Sequence, residues 1–251
     1  MKKRVSILAA AVALSSTLSA DFLRVELGAG SWMQTPKGMI EAEVTGVKGT
    51  DTSSETQEAK PYAWILIKHF VPVVPNLRVE YAQVLNRGTA SGTFADFTAA
   101  LSKSELSMNQ IDFAPYYNLL DNTAWITLDV GADFKMIDVS YKVAGVTMNG
   151  FPNQTYDKAE SVVIPMAYLR TRVQVPMTGL GVEADVKYVS YNENTVYDAR
   201  AKVDYTFEIT PLIQPGIEVG YRVQKYKTDQ LQNIAADIDF AGLYAGAMLR
   251  F

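Results

Sequence analysis

The chain has 251 residues, of which 48% are hydrophobic and 20% charged, with 23 Lys and Arg against 27 Asp and Glu. That length holds one large all-β barrel or two small domains, and that balance excludes a disordered tail and a helical membrane protein. Lys2, Lys3 and Arg4 supply three of the cations, so the acidic remainder gives no electrostatic footing to nucleic acid as a partner. The absence of Cys removes disulfides, thiolate nucleophiles and Cys-held zinc.

The basic start is followed by an apolar run, Val5 to Leu14, then by small Ser15, Ser16 and Thr17 and by Leu18-Ser19-Ala20-Asp21. This order predicts a secretory signal peptide over 1–20, cleaved after Ala20, and an exported domain over 21–251. No Cys follows the cleavage site, which excludes a lipoprotein anchor.

A helical span needs about twenty apolar residues, and nothing after Ala20 supplies them without interruption. What recurs is alternation with a period of two. The first segment sets Leu23, Val25, Leu27 and Ala29 against Arg24, Glu26, Gly28 and Gly30. Leu77, Val79 and Tyr81 then oppose Arg78 and Glu80, and Ile126 to Phe134 opposes Asp129, Asp133 and Lys135. Further along, Leu180 to Tyr188 opposes Glu183, Asp185 and Lys187, and Ala201 to Phe207 opposes Arg200, Lys202 and Asp204. Less regular strands are expected near 61–70, 107–118, 161–175, 216–226 and 237–251. The pattern predicts an all-β fold, a transmembrane antiparallel β-barrel of ten strands, with eight as the alternative.

Connections after every second strand are short, and those at 34–60, 85–106 and 136–160 are long, polar and rich in Gly, Ser, Thr and Asn. Loops near 192–196 and 227–236 are shorter. That asymmetry predicts periplasmic termini and turns, with long loops outside. Trp32, Tyr62, Trp64, Tyr116, Tyr117, Trp125, Tyr188 and Tyr191 are expected in interfacial girdles.

The last strand reads back from Phe251 through Leu249, Ala247, Ala245, Leu243 and Ala241, every second residue being apolar. It looks like the C-terminal insertion signal read by the barrel-assembly machinery, with periplasmic chaperones as further partners during biogenesis. Such a strand offers an unpaired edge and a lipid-facing stripe.

The opposite face carries Arg24, Arg78, Lys135, Arg170, Arg172, Lys187, Arg200, Lys202, Arg222 and Arg250. Against them stand Glu26, Glu80, Asp129, Asp133, Glu183, Asp185, Asp204 and Glu218. In a narrow lumen such nearly balanced charge predicts a paired network rather than a wide aqueous pore.

Three segments carry a resemblance. His69-Phe70-Val71-Pro72-Val73-Val74-Pro75-Asn76-Leu77-Arg78, Pro176-Met177-Thr178-Gly179-Leu180 and Gly220-Tyr221-Arg222 resemble the turns and strand of a family of small, functionally uncharacterised Gram-negative outer-membrane β-barrel proteins. The departure is Phe70-Val71, where that family more often has Pro directly after His. The resemblance implies an architecture, an outer-membrane location and no established activity.

Enzymatic readings find little chemistry. His69, the one histidine, falls beside a short turn, where a structural role is expected. Asp129 with Asp133 and Glu183 with Asp185 could mimic an acid/base pair, but Lys135 and Lys187 on the same strand faces point to ion pairing. Gly28-Ala29-Gly30 lacks the third glycine of a dinucleotide fingerprint, and Asn153-Gln154-Thr155 marks a loop. No enzyme, cofactor or metal site is expected. A cation bridging the acidic 34–60 segment to lipopolysaccharide competes with a plain solvated loop. Two functions remain: a filled barrel presenting its loops for envelope structure or surface interaction, and a narrow channel for small solutes or ions. In the channel, Arg170, Arg172, Arg200 and Lys202 would face Glu183, Asp185 and Asp204 across a gap.

Overall fold

The computed structural model describes residues 23–44, 47–71, 73–207, 209–210, 212–231 and 234–251. The expected signal peptide, with its Ala20 cleavage site, lies outside them. The described chain is strand throughout its regular structure: β1 Leu23–Val44, β2 Val47–Ser53, β3 Glu58–His69, β4 Asn76–Thr93, β5 Thr98–Thr123 and β6 Ile126–Met148. It continues with β7 Phe151–Gln174, β8 Leu180–Tyr191, β9 Asn194–Thr206, β10 Gln214–Leu231 and β11 Ile234–Arg250. All neighbours are antiparallel, and β11 pairs with β1 to close the ring. β2 and β3 share one position in the wall. β3 lies between Leu23–Gln34 of β1 and Leu77–Ala82 of β4, and β2 continues the same lane between Met39–Val44 and Gly88–Gly92. The ring therefore has ten lanes, as the alternation predicts, and not eight.

Closure sets the size of the interior. Ladder partners from Asn76 run through Tyr116, Gly131, Tyr168, Lys187, Asp198, Gln224 and Phe240 to Pro36 on β1. The other way, Leu77 pairs with Ile67, so Asn76 faces Lys68, whose partner on β1 is Arg24. The stagger between Arg24 and Pro36 tilts the strands by ~35–45° and leaves an interior that side chains can fill.

Two features depart from the sequence reading. Most of 34–60, 85–106 and 136–160 is not loop: β1, β4, β5, β6 and β7 extend through these segments and leave only tight tips. The reason is an inversion of polarity along the strands. On β5 the outward set passes from exposed Phe113 and Ile111 to Asn109 and Ser107, while the inward set passes from Asp112 and Gln110 to Met108 and Leu106. β6 changes from Phe134 and Met136 out, Asp133 and Lys135 in, to Asp138 out and Ile137 in. On β11, Asp239 and Asp237 follow Leu243 on the outside, and Phe240 and Ile238 follow Tyr244 on the inside. The half nearest the short turns is thus apolar outside and charged inside, as a bilayer demands. The half beyond it is built like a water-soluble barrel, with polar walls around an apolar core.

The second departure concerns the aromatics. Trp32, Tyr62, Trp64 and Tyr116 are buried in the lumen, whereas Tyr117, Trp125, Tyr188 and Tyr191 are exposed on the outside. Gly28 makes room for one of the inner rings: a Cβ there would lie 2.6 Å from Trp64 Nε1. Phe94 and Phe97 at the β4–β5 tip stack at 4.6 Å and, with Ala42, Ala90, Val143 and Val146, cap the core. The wall is uneven there. β7 pairs with β6 almost throughout but meets β8 only over Ala167–Gln174, so its edge from Phe151 to Met166 has no strand beside it among the described residues.

Candidate functional site

The candidate site is the interior of the barrel. Among the described residues nine basic side chains are buried, all of them in the charged half of the lumen with ten carboxyl groups. At the short-turn mouth, Arg24 is half exposed and pairs with Glu26 at 2.5 Å. Glu26 also meets Arg250 at 3.2 Å, and Arg250 reaches Asp204 at 3.0 Å. Asp204 receives both ends of the Arg172 guanidinium, at 2.5 and 2.8 Å, the bidentate geometry in which such a pair is strongest. Next door, Arg170 joins Asp129 at 2.5 Å to Glu183 at 2.7 Å. Gly181 gives Arg172 its space, since a Cβ there would lie 2.1 Å from the guanidinium.

Deeper in, contacts cross the lumen instead of running along the wall. Glu80 on β4 is paired with Arg78 and accepts from Arg200 of β9 at 2.7 Å and Lys187 of β8 at 2.8 Å. Lys187 continues to Asp112 of β5 at 2.7 Å, and Asp112 to Lys135 at 2.7 Å. Lys135 and Arg222 converge on Asp198 at 3.0 and 2.6 Å. Asp185 holds Arg200 at 2.7 Å. Glu218 of β10 accepts from Tyr62 at 2.8 Å and Trp64 at 2.9 Å on β3 and pairs with Lys202 at 2.8 Å. The Trp64 ring lies against two cations, Lys202 at 4.4 Å and Arg78 at 5.0 Å, a contact worth ~2 kcal/mol when dry.

Of the residues that the sequence assigned to the charged face, all but the half-exposed Arg24 are buried, though with unequal partners. Asp133 is fully buried, yet neither of its carboxyl oxygens has a hydrogen-bond partner among the described residues. Arg170, Arg172, Arg200 and Lys202 do not stand across a gap from Glu183, Asp185 and Asp204. They sit on the consecutive strands β7, β8 and β9 and pair with one another along that wall. Sequence reasoning missed Asp112 and Asp198, both central to the network. The inward set Gln110, Asp112, Ala114 on β5 and the run Asp198, Arg200, Lys202, Asp204 on β9 were the available signals.

Above the charges lies a belt of amides. Gln224 Nε2 donates to Gln110 Oε1 at 3.0 Å, and Gln34 Nε2 donates to the Gln83 carbonyl at 2.9 Å. The apolar core then begins with Val84, Met108, Ile137 and Phe240. Asp51 stands apart in this upper half, buried and accepting from the Ser104 and Tyr141 hydroxyls, each at 2.7 Å. With no cation beside it among the described residues, burial pushes its carboxyl above the ordinary range, and the two hydrogen bonds offset part of that rise.

The outer stripe of β11 presents Leu243, Ala245 and Ala247 to the surroundings, and Phe251 exchanges backbone hydrogen bonds with Val25 at the seam, 2.9 and 3.4 Å. His69 is engaged in the β3–β4 turn. Its Nε2 donates to the Pro75 carbonyl at 3.0 Å and its Nδ1 accepts from the Val71 amide at 3.2 Å, so both ring nitrogens are occupied.

No family model matches the chain, and no curated protein matches it. Among solved structures, the outer membrane protease OmpT from Escherichia coli is similar with a TM-score of 0.56 and 12% identity, covering 94% of this chain and 99% of that one. The translocator domain of the autotransporter NalP from Neisseria meningitidis aligns at 10% identity over 99% of this chain and 96% of that one, with a TM-score of 0.42. At 12% identity the first likeness is one of fold alone, and it carries no activity across. The chain has the fold of outer-membrane β-barrels.

Proposed function

We propose that the protein is an integral outer-membrane barrel with no catalytic role, whose filled lumen holds up a rigid extracellular extension for envelope structure or surface contact. On this reading residues 1–20 direct export, the short turns face the periplasm, and the long hairpins face outward. The surroundings of the belt are outer-membrane lipid and lipopolysaccharide. The barrel-assembly machinery and periplasmic chaperones are its partners in biogenesis, and the uncharacterised barrel family that it resembles is its proposed kin. The observation that carries the reading is the cross-lumen contact of Glu80 with Arg200 and Lys187, continued above by the amide belt and the apolar core. Side chains that bond from wall to wall leave little for a hydrated ion to follow.

Conductance of the refolded 21–251 protein in a planar bilayer at high salt tests this. A folded, heat-modifiable protein should stay silent. Stable, reproducible steps would overturn the filled-lumen reading in favour of a narrow channel.

A further inference from the structure

The four short turns carry an unusual surface. Val73 and Val74 of the first, Leu119 and Trp125 at the second, Met177 in the third and Leu212 in the fourth are all exposed. Across 71–75, 119–125, 175–179 and 207–213 the sequence holds only two charged residues, Asp121 and Glu208, and Asp121 is paired with Lys68. A water-facing turn of a soluble protein is normally polar, and apolar surface repeated around one rim marks a contact with something.

We propose that this rim is seated in lipid, with the four turns resting at the headgroup and acyl boundary of the periplasmic leaflet instead of standing in the periplasm. The proposal rests on the outer-membrane reading above. Three observations choose lipid over a protein partner. The rim is continuous with the apolar belt, since Trp125 is followed directly by outward Ile126, and the exposed Phe207 adjoins Tyr205. Each turn also closes a backbone hydrogen bond within itself: Val74 to Val71, Trp125 to Asn122, Thr178 to Val175 and Ile209 to Phe207, at 2.9–3.3 Å. Irregular backbone approaching hydrocarbon must satisfy itself in this way. Finally, Trp125 has a φ of 67° and Met177 a φ of 59°, conformations that bulky residues adopt at a cost. The turns accept that strain with large apolar side chains turned outward where Gly or Asn would fit more easily.

The molecule contains its own probe. Of the three tryptophans, Trp32 and Trp64 are 1% and 4% exposed inside the lumen, whereas Trp125 is 56% exposed on the rim. Quenching from outside therefore reports Trp125. The refolded 21–251 protein is inserted into phosphatidylcholine vesicles carrying bromines on the upper acyl chain, and emission is compared with W125F. The expected result is loss of most of the Trp125 emission to bromolipid, with aqueous iodide leaving it unchanged. Because the chain has no Cys, V73C and M177C bearing an environment-sensitive dye extend the reading to two further turns, where a blue shift on insertion is expected. Iodide quenching without bromolipid quenching, and unshifted dyes, would overturn the proposal and leave the rim as an open face for a periplasmic protein. If the protein shows neither a heat-modifiable gel shift nor a vesicle-bound strand signal, it is the outer-membrane reading that fails instead.

Discussion

Glu80 Oε1 and Arg200 Nη2 meet 2.7 Å apart across the barrel, although 120 residues separate them in the chain. Both are buried, so their attraction acts in a medium of low dielectric and each is costly to leave alone. Glu80→Ala would remove the anion shared by Arg78, Arg200 and Lys187 and leave them to Glu183, Asp185 and Asp112. The expected loss is ~3–5 kcal/mol, read as a lower temperature for the heat-modifiable gel shift. An apolar replacement of both Glu80 and Arg200 should cost clearly less than Glu80→Ala alone, and equal losses would refute a coupled pair.

The Phe94 and Phe97 stack closes the far end of the core without being the only closure. Replacing both with Ala should destabilise the strands beyond the apolar belt by ~3–5 kcal/mol per ring at most, seen as faster amide exchange in the upper parts of β4 and β5. Conductance should remain absent, because the amide belt and the ion network lie below. Channel steps in that variant would show that the cap is the true gate.

Asp51 makes the same region sensitive to pH. Its carboxyl is held above the ordinary range by burial, so the folded state binds the proton more tightly than the unfolded chain does. Stability of the outer half is therefore greatest at acid pH and falls as pH rises from the unfolded value through the raised folded one. Asp51→Asn keeps the shape and removes the charge. The opening free energy of β2, taken from amide exchange corrected for its intrinsic pH dependence, should fall with pH across that range in the parent protein and stay flat in the variant.

Phe251 and Val25 form the last rung of the seam between β11 and β1. Deleting Phe251 removes that rung and the terminal aromatic together, and the expected outcome is a sharp drop in barrel recovered from the outer membrane. Refolding of the same deletion from urea into detergent should be affected far less, since the ladder from Leu27 to Ala42 is untouched. Normal assembly in cells would remove the role given to this residue.

The charged lumen was legible because strand side chains alternate strictly, so Arg172, Glu183 and Asp204 could be placed on one face from spacing alone. Asp112 and Asp198 were not, because their strands change polarity within four residues, to Met108 and to Val196. A reader who takes apolar to mean outward loses the phase at that point and sees loop. Trp32 and Trp64 escaped for a different reason. Aromatics at strand ends belong in girdles by chemistry, but here Gly28 hollows the wall and Glu218 offers an acceptor to the Trp64 indole at 2.9 Å. Neither a cavity shaped by a glycine nor a partner 154 residues away is visible in local pattern.

The uncovered edge of β7 bears on how such molecules crowd together. A long row of free amides and carbonyls would ordinarily recruit strands from neighbours and lead to stacking. This one ends at Pro152 and Pro165, which have no amide hydrogen to give, and carries Lys158 and Glu160, paired to each other at 2.8 Å, between them. Copies packed side by side can therefore stay separate, with this edge a poor template for fibre growth.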